Sequence, residues 1–86
     1  MGHLVEYRIY FKDEKSYNTI AKYLNEKHEI KHNEWDKDTG LIEFEMHHSY
    51  RFKLAENFKE NNLKAKCRID IYYTERDPDE VQEYKH

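Results

Sequence analysis

Leu63-Lys64-Ala65-Lys66-Cys67-Arg68-Ile69-Asp70-Ile71-Tyr72-Tyr73-Thr74 alternates almost without fault. Leu63, Ala65, Cys67, Ile69, Ile71 and Tyr73 share one side; Lys64, Lys66, Arg68, Asp70 and Tyr72 share the other. Successive side chains on a strand point to opposite faces, so the stretch is a β-strand with one buried and one wet face. The same test applied upstream predicts a strand over 4–11, with Val5, Tyr7, Ile9 and Phe11 inward and Glu6, Arg8 and Tyr10 outward. It predicts another over 41–47, with Ile42, Phe44 and Met46 inward and Glu43 and Glu45 outward.

Between these strands the period changes. Asp13 suits a helix N-cap, its carboxylate accepting an orphan amide of the first turn. Tyr17, Ile20, Ala21 and Leu24 then follow the stripe of a helix reaching about residue 27. Ser49 caps a second helix with the core stripe Phe52, Leu54, Ala55 and Phe58, closed by Asn61-Asn62 because Asn tolerates a left-handed turn. Residues 30–35 are expected to form an edge strand with poor alternation, joined to the next by the loop Asp36-Lys37-Asp38-Thr39-Gly40. Past residue 74, Asp77-Pro78-Asp79-Glu80 has the form of a capping box, and Val81 and Tyr84 sit three apart, so a short C-terminal helix is expected.

Strand, helix, strand, strand, helix, strand is the βαββαβ order of a ferredoxin-like fold. The expected architecture is an α+β two-layer sandwich with both helices on one face of a four-stranded antiparallel sheet, order 4-1-3-2. Residues 1–74 form one such domain and 75–86 an acidic tail.

The chain has 86 residues, 37% hydrophobic and 38% charged, with eight Tyr and four Phe. One small core of this size supplies only a few kcal/mol of net stability. Net charge is −3, and its placement matters. Residues 1–74 carry thirteen acids and thirteen bases, whereas residues 75–86 carry five acids and two bases. A neutral body lacks the footprint of a general nucleic-acid binder. The lone Cys67 excludes an internal disulfide and belongs to the core. No apolar run approaches ~18 residues, so a soluble, cytoplasmic chain with no membrane partner is expected.

Chemistry-bearing patterns are sparse. Six histidines are present, but His28 and His32 straddle a helix end, and His47 and His48 point to opposite faces of a strand end. Zinc wants three or four convergent ligands, and no metal or cofactor is expected. Glu43 and Glu45 lie about 7 Å apart on one strand face, a spacing open to acid–base work, but in a row with bases. No glycine-rich loop follows the first strand at Lys12-Asp13, so phosphate cradling by such a loop is not expected, nor is an acylphosphatase-like loop. No Cys-x-x-Cys of the metal-transfer domains stands there either.

The RNA-recognition motif is the resemblance that covers nearly the whole chain. Its central-strand signature falls on Lys37-Asp38-Thr39-Gly40-Leu41-Ile42-Glu43-Phe44, where Lys37, Gly40 and Phe44 match and Ile42 is conservative. The two base-stacking aromatics fall on Thr39 and Leu41, so only Tyr10, in the first-strand signature, occupies a stacking position. In composition the chain is also similar to accessory proteins of phages and mobile elements.

The expected function is a small non-enzymatic protein-interaction or regulatory module, self-associating or bound to a protein partner. Its surface is expected over Ile69, Ile71, Tyr72, Tyr73, Val81 and Tyr84, because the last strand outruns its neighbour and leaves an edge to be covered. One alternative is RNA binding through the sheet face at Tyr10, Arg8, Lys66 and Arg68. The other is a small-molecule site or enzyme of ferredoxin-like dimer type, lined by Tyr7, Tyr17 or Trp35.

Overall fold

The computed structural model describes residues 3–48, 54–73 and 77–86. Its elements are β1 (His3–Phe11), α1 (Glu14–His28), β2 (Leu41–His48), α2 (Leu54–Glu60), β3 (Lys66–Tyr72) and β4 (Glu80–Lys85). The strands form one antiparallel sheet of order β2-β1-β3-β4. The α+β class and the four-stranded antiparallel sheet are as expected. The order 4-1-3-2 is not, because two elements differ from their expected form.

The first is residues 30–35, which form no strand. Ile30 and Trp35 are five apart, so a strand would aim them at opposite faces. In the irregular segment both turn inward and pack against the core, Trp35 with its ring 5.2 Å from that of Tyr17. The Tyr17 hydroxyl donates to the Asn33 carbonyl, which pins the segment to α1.

The second is the tail, where a strand replaces the expected helix. Val81 and Tyr84, three apart, would share a helix side; on a strand they oppose, and Val81 is 54% exposed while Tyr84 is 5% exposed. A helix this short has little stability of its own, whereas β4 completes a ladder against the otherwise bare outer edge of β3. Asp79, expected in the first turn of that helix, accepts from the Tyr73 amide at 2.7 Å instead.

β1 is the spine of the sheet. Ile9 lies across from Ile42 on one side and Ile69 on the other, and Tyr7 lies between Phe44 and Ile71. These six are buried with Val5, Phe11, Cys67 and Tyr84 beneath Tyr17, Ile20, Leu24, Leu54 and Phe58 of the helices. Met46, expected in the core, is half-buried. The helices meet through Tyr23, whose ring stands edge-on to Phe58 at 5.6 Å and whose hydroxyl donates to Asn57 Oδ1 at 2.9 Å.

Asp13 caps α1 as expected, accepting from the Ser16 amide at 2.7 Å. Asn62, at φ 54°, closes α2 as expected, and Leu63 N–H donates to the Phe58 carbonyl. That closure explains why β3 starts at Lys66 rather than Leu63: backbone groups just before it are spent on the helix end and on Tyr84, whose hydroxyl donates to the Leu63 carbonyl. The Ser49 cap and Phe52 lie outside the described residues.

Among the described residues, Gly40 is the position where glycine is required. Its φ is +50°, and a Cβ there would stand 2.3 Å from the Phe11 carbonyl oxygen, at the end of β1. The Phe11 amide donates to the Gly40 carbonyl at 2.7 Å, so the two backbones cannot part without losing that bond. Gly40→Ala is expected to lower unfolding free energy by more than ~2 kcal/mol, summing left-handed strain and the lost contact. Urea denaturation of the variant checks it.

Candidate functional site: the open sheet face and its edges

The helices cover one face of the sheet, so the outward residues of four strands form a continuous open face. Tyr10, Arg8, Lys66 and Arg68, expected there, are brought together. The Arg68 guanidinium lies 4.8 Å from the centre of the Tyr10 ring, and that of Arg8 lies 4.6 Å from the Tyr72 ring. Arg8 Nε also contacts Glu6 Oε1 and Glu43 Oε2, each at 3.0 Å. Arg68 grips Asp70 through Nε at 3.0 Å and Nη2 at 3.1 Å. The hydrogen bond to Glu6 is the main cause holding the Arg8 guanidinium above its ordinary range, and Asp70 acts likewise on Arg68.

These contacts change what the face can do. The Tyr10 ring carries Arg68 on one side, Glu43 is engaged by Arg8, and Glu45 lies across from Glu6. Asp70, although on the open face, is only 3% exposed, set between Arg8 on β1 and Val81 on β4. The alternation of residues 63–74 marked it as outward and wet. Its cover comes from a fourth strand that the sequence had as a helix.

The other expected surface is dispersed. Ile69 and Ile71 are fully buried in the core, and Tyr72 and Tyr84 are buried at 9% and 5% exposure. Of the six, Tyr73 and Val81 remain exposed. β3 is an interior strand between β1 and β4, so the strand expected to present a free edge to a second copy has none. Tyr7 and Tyr17, expected around a small-molecule cavity, are 1% and 2% exposed and packed, Tyr7 on Phe44 with ring centres 5.1 Å apart.

The free edges are β2 and β4. The Phe11–Gly40 bond makes that pair a hydrogen-bonded one, and antiparallel pairs alternate in kind. Ile9–Ile42 and Tyr7–Phe44 are thus bonded pairs, while Leu41, Glu43 and Glu45 aim their backbone N–H and C=O away from β1. No described backbone group pairs with them. Alongside runs a cleft of about 420 Å³, walled by Lys31, His32 and Asn33 opposite Leu41, Ile42 and Glu43. The missing strand is what leaves this edge open.

Burial pushes the Cys67 thiol up to about 12. Its proton is held more tightly in the folded state, so the stabilising difference is complete below the ordinary thiol range and is lost as pH climbs from about 9 toward about 12. At pH 8 the thiol is expected to react with an aromatic disulfide far more slowly in the folded chain than in urea, a difference that stopped-flow labelling reads directly.

Among the described residues no three His, Cys, Asp or Glu side chains gather to hold a metal ion, and no helix is long and apolar enough to cross a membrane. No family model matches the chain, and no match was found among curated proteins or solved structures.

Proposed function

We propose that this chain is a non-enzymatic protein-interaction module that takes up an extended segment of a partner on the free edge of β2. The observation that carries the reading is that edge itself, where three outward-facing residues leave their backbone groups unpaired beside an open cleft. Adding a strand to such an edge satisfies these groups, while alternate side chains supply selectivity. Leu41, Glu43 and Glu45 lie on one face and Ile42, Phe44 and Met46 on the other. The complementary segment alternates basic with apolar residues. The fold is then read as a ferredoxin-like sandwich that has given up one edge strand and extended the opposite edge by a C-terminal hairpin.

A synthetic peptide alternating lysine with valine tests the reading by amide chemical shifts. Leu41, Glu43 and Glu45 are expected to move most. Glu45→Pro removes a donor that faces away from β1, which an edge strand tolerates, and is expected to abolish the shifts with the fold intact. Shifts that persist in this variant, or that map to β4, overturn it.

Self-association is a second reading, favoured at β4. There the outward residues are Val81, Glu83 and Lys85, and a two-fold antiparallel pair can set Glu83 against Lys85 of the partner subunit. At β2 the same operation sets carboxylates together. A sedimentation mass of one chain at ~100 μM would exclude this second reading, since even a weak dimer populates at that concentration. Under either reading nucleic acid is not the partner, and single-stranded RNA is expected to bind no better than ~10 μM at physiological salt.

A further inference from the structure

The end of the open face where β1 stops, β3 starts and β4 ends has the opposite electrostatic character from the β2 side. A concavity of about 480 Å³ lies there, walled by Tyr10, Lys12, Lys66, Arg68 and Lys85. Two carboxylates share it. Asp13 has both oxygens engaged by Ser16, at 2.7 Å from its amide and 3.0 Å from its hydroxyl, and Glu83 lies across from Arg68.

The register makes this basic cluster unusual. Lys66 is directly opposite Lys85. His86 N–H donates to the Ala65 carbonyl, so the next pair, Lys66–Lys85, is the closer, non-hydrogen-bonded kind. Like charges directly opposed destabilise a sheet. Among the described residues neither these two nor Lys12 is in an ion pair. Both backbones of the pair are fixed in place, Lys66 by the hydrogen bond its amide donates to the Ser16 hydroxyl at 2.9 Å and Lys85 by the ladder.

We propose that this concavity is a binding site for a compact oligophosphate group, held by Lys12, Lys66 and Lys85 with Arg68 at its wall. A dianionic or trianionic group between the opposed ammonium ions converts their repulsion into two charge-assisted contacts. The volume falls in the range of small-ligand pockets, ≈300–1,000 Å³. A long polyanion fits the charge pattern poorly. Extended across the sheet it would leave the basic end and meet Glu6, Glu43 and Glu45 on β1 and β2. The phosphate can belong to free pyrophosphate or to a nucleotide, which share this chemistry. Tyr10 offers a nucleotide base a wall, with one ring face already under Arg68.

Isothermal titration calorimetry at low salt, with sodium pyrophosphate and adenosine triphosphate as separate ligands and a single-stranded RNA as the third, tests the site. Saturable binding of pyrophosphate is expected. Tighter binding of the triphosphate assigns a nucleotide and equal binding assigns the free anion. Lys66→Gln and Lys12→Gln are each expected to weaken pyrophosphate binding by about tenfold, roughly the worth of one charge-assisted contact. Lys37→Gln, in the loop before β2, is expected to leave it unchanged. Because Lys66→Gln also removes the like-charge pair, its thermal midpoint without ligand is expected to equal or exceed that of the parent chain, which separates lost binding from lost folding. No heat of binding with pyrophosphate, affinity indifferent to Lys66→Gln, or RNA binding tighter than pyrophosphate would each overturn the proposal.

Discussion

A chain truncated after residue 76 is expected to lose cooperative folding. Without β4 the outer edge of β3 is bare, and Cys67, Ile69 and Ile71 lose the strand that shields them. Tyr84 goes with it. Its ring packs edge-on against Phe58 at 5.4 Å, and its hydroxyl donates to the Leu63 carbonyl at 2.6 Å. Removing a buried aromatic of this kind costs about 3–5 kcal/mol, a large part of the ~5–15 kcal/mol that holds a whole domain. Denaturation followed by near-ultraviolet circular dichroism should show no sigmoidal transition for the truncated chain. A pair of point variants separates the strand from a helix at the same place. On the strand, Tyr84→Ala is expected to be severe and Val81→Ala to change stability by less than ~0.5 kcal/mol, since Val81 stands 54% exposed. A helix burying both residues on one side would make the two variants comparable.

Ile69→Ala is expected to lower unfolding free energy by about 2–5 kcal/mol. Ile69 has no exposed surface and lies beside Ile9 of β1, with Gln82 of β4 on its other side. Both neighbours are hydrogen-bonded strands held in register, so the cavity cannot close by a shift of one element, and the upper part of that range applies. Urea midpoints at constant slope measure it. A cost below ~1 kcal/mol would mean that this part of the sheet relaxes freely, contrary to the packing of Ile9, Ile42 and Ile69 in one row.

The function proposed for β2 and the oligophosphate site use different ends of the open face, and the electrostatics keep them apart. Glu43 and Glu45 edge one side; Lys12, Lys66 and Lys85 gather at the other. Arg8 lies between, paired with Glu6 and Glu43 and stacked on Tyr72, while Arg68, at the wall of the oligophosphate site, is paired with Asp70 and stacked on Tyr10, so neither is a free cation for a polyanion.

Wherever a segment had one unambiguous period, the residues alone determined its element type. Period two in 4–11, 41–47 and 63–74 placed Val5, Tyr7, Ile9, Ile42, Phe44, Ile69 and Ile71 in the core, and the helical stripe did the same for Ile20 and Leu24. The β2-β1-β3 part of the sheet followed from the order of those elements. Local chemistry was equally legible at Asp13 and Asn62, residue types that suit an N-cap and a left-handed helix end. Both edges were decided by tertiary structure. Ile30 and Trp35 could both pack against the core only in an irregular chain, and residues 80–85 gained more from the ladder of β3 than from a helix too short to hold itself. The candidate sites inherit this. The open β2 edge exists because one expected strand is absent, and the facing of Lys66 and Lys85 exists because an unexpected one is present. Neither edge can be read from a local pattern, because a strand's edge is satisfied by whatever distant segment reaches it.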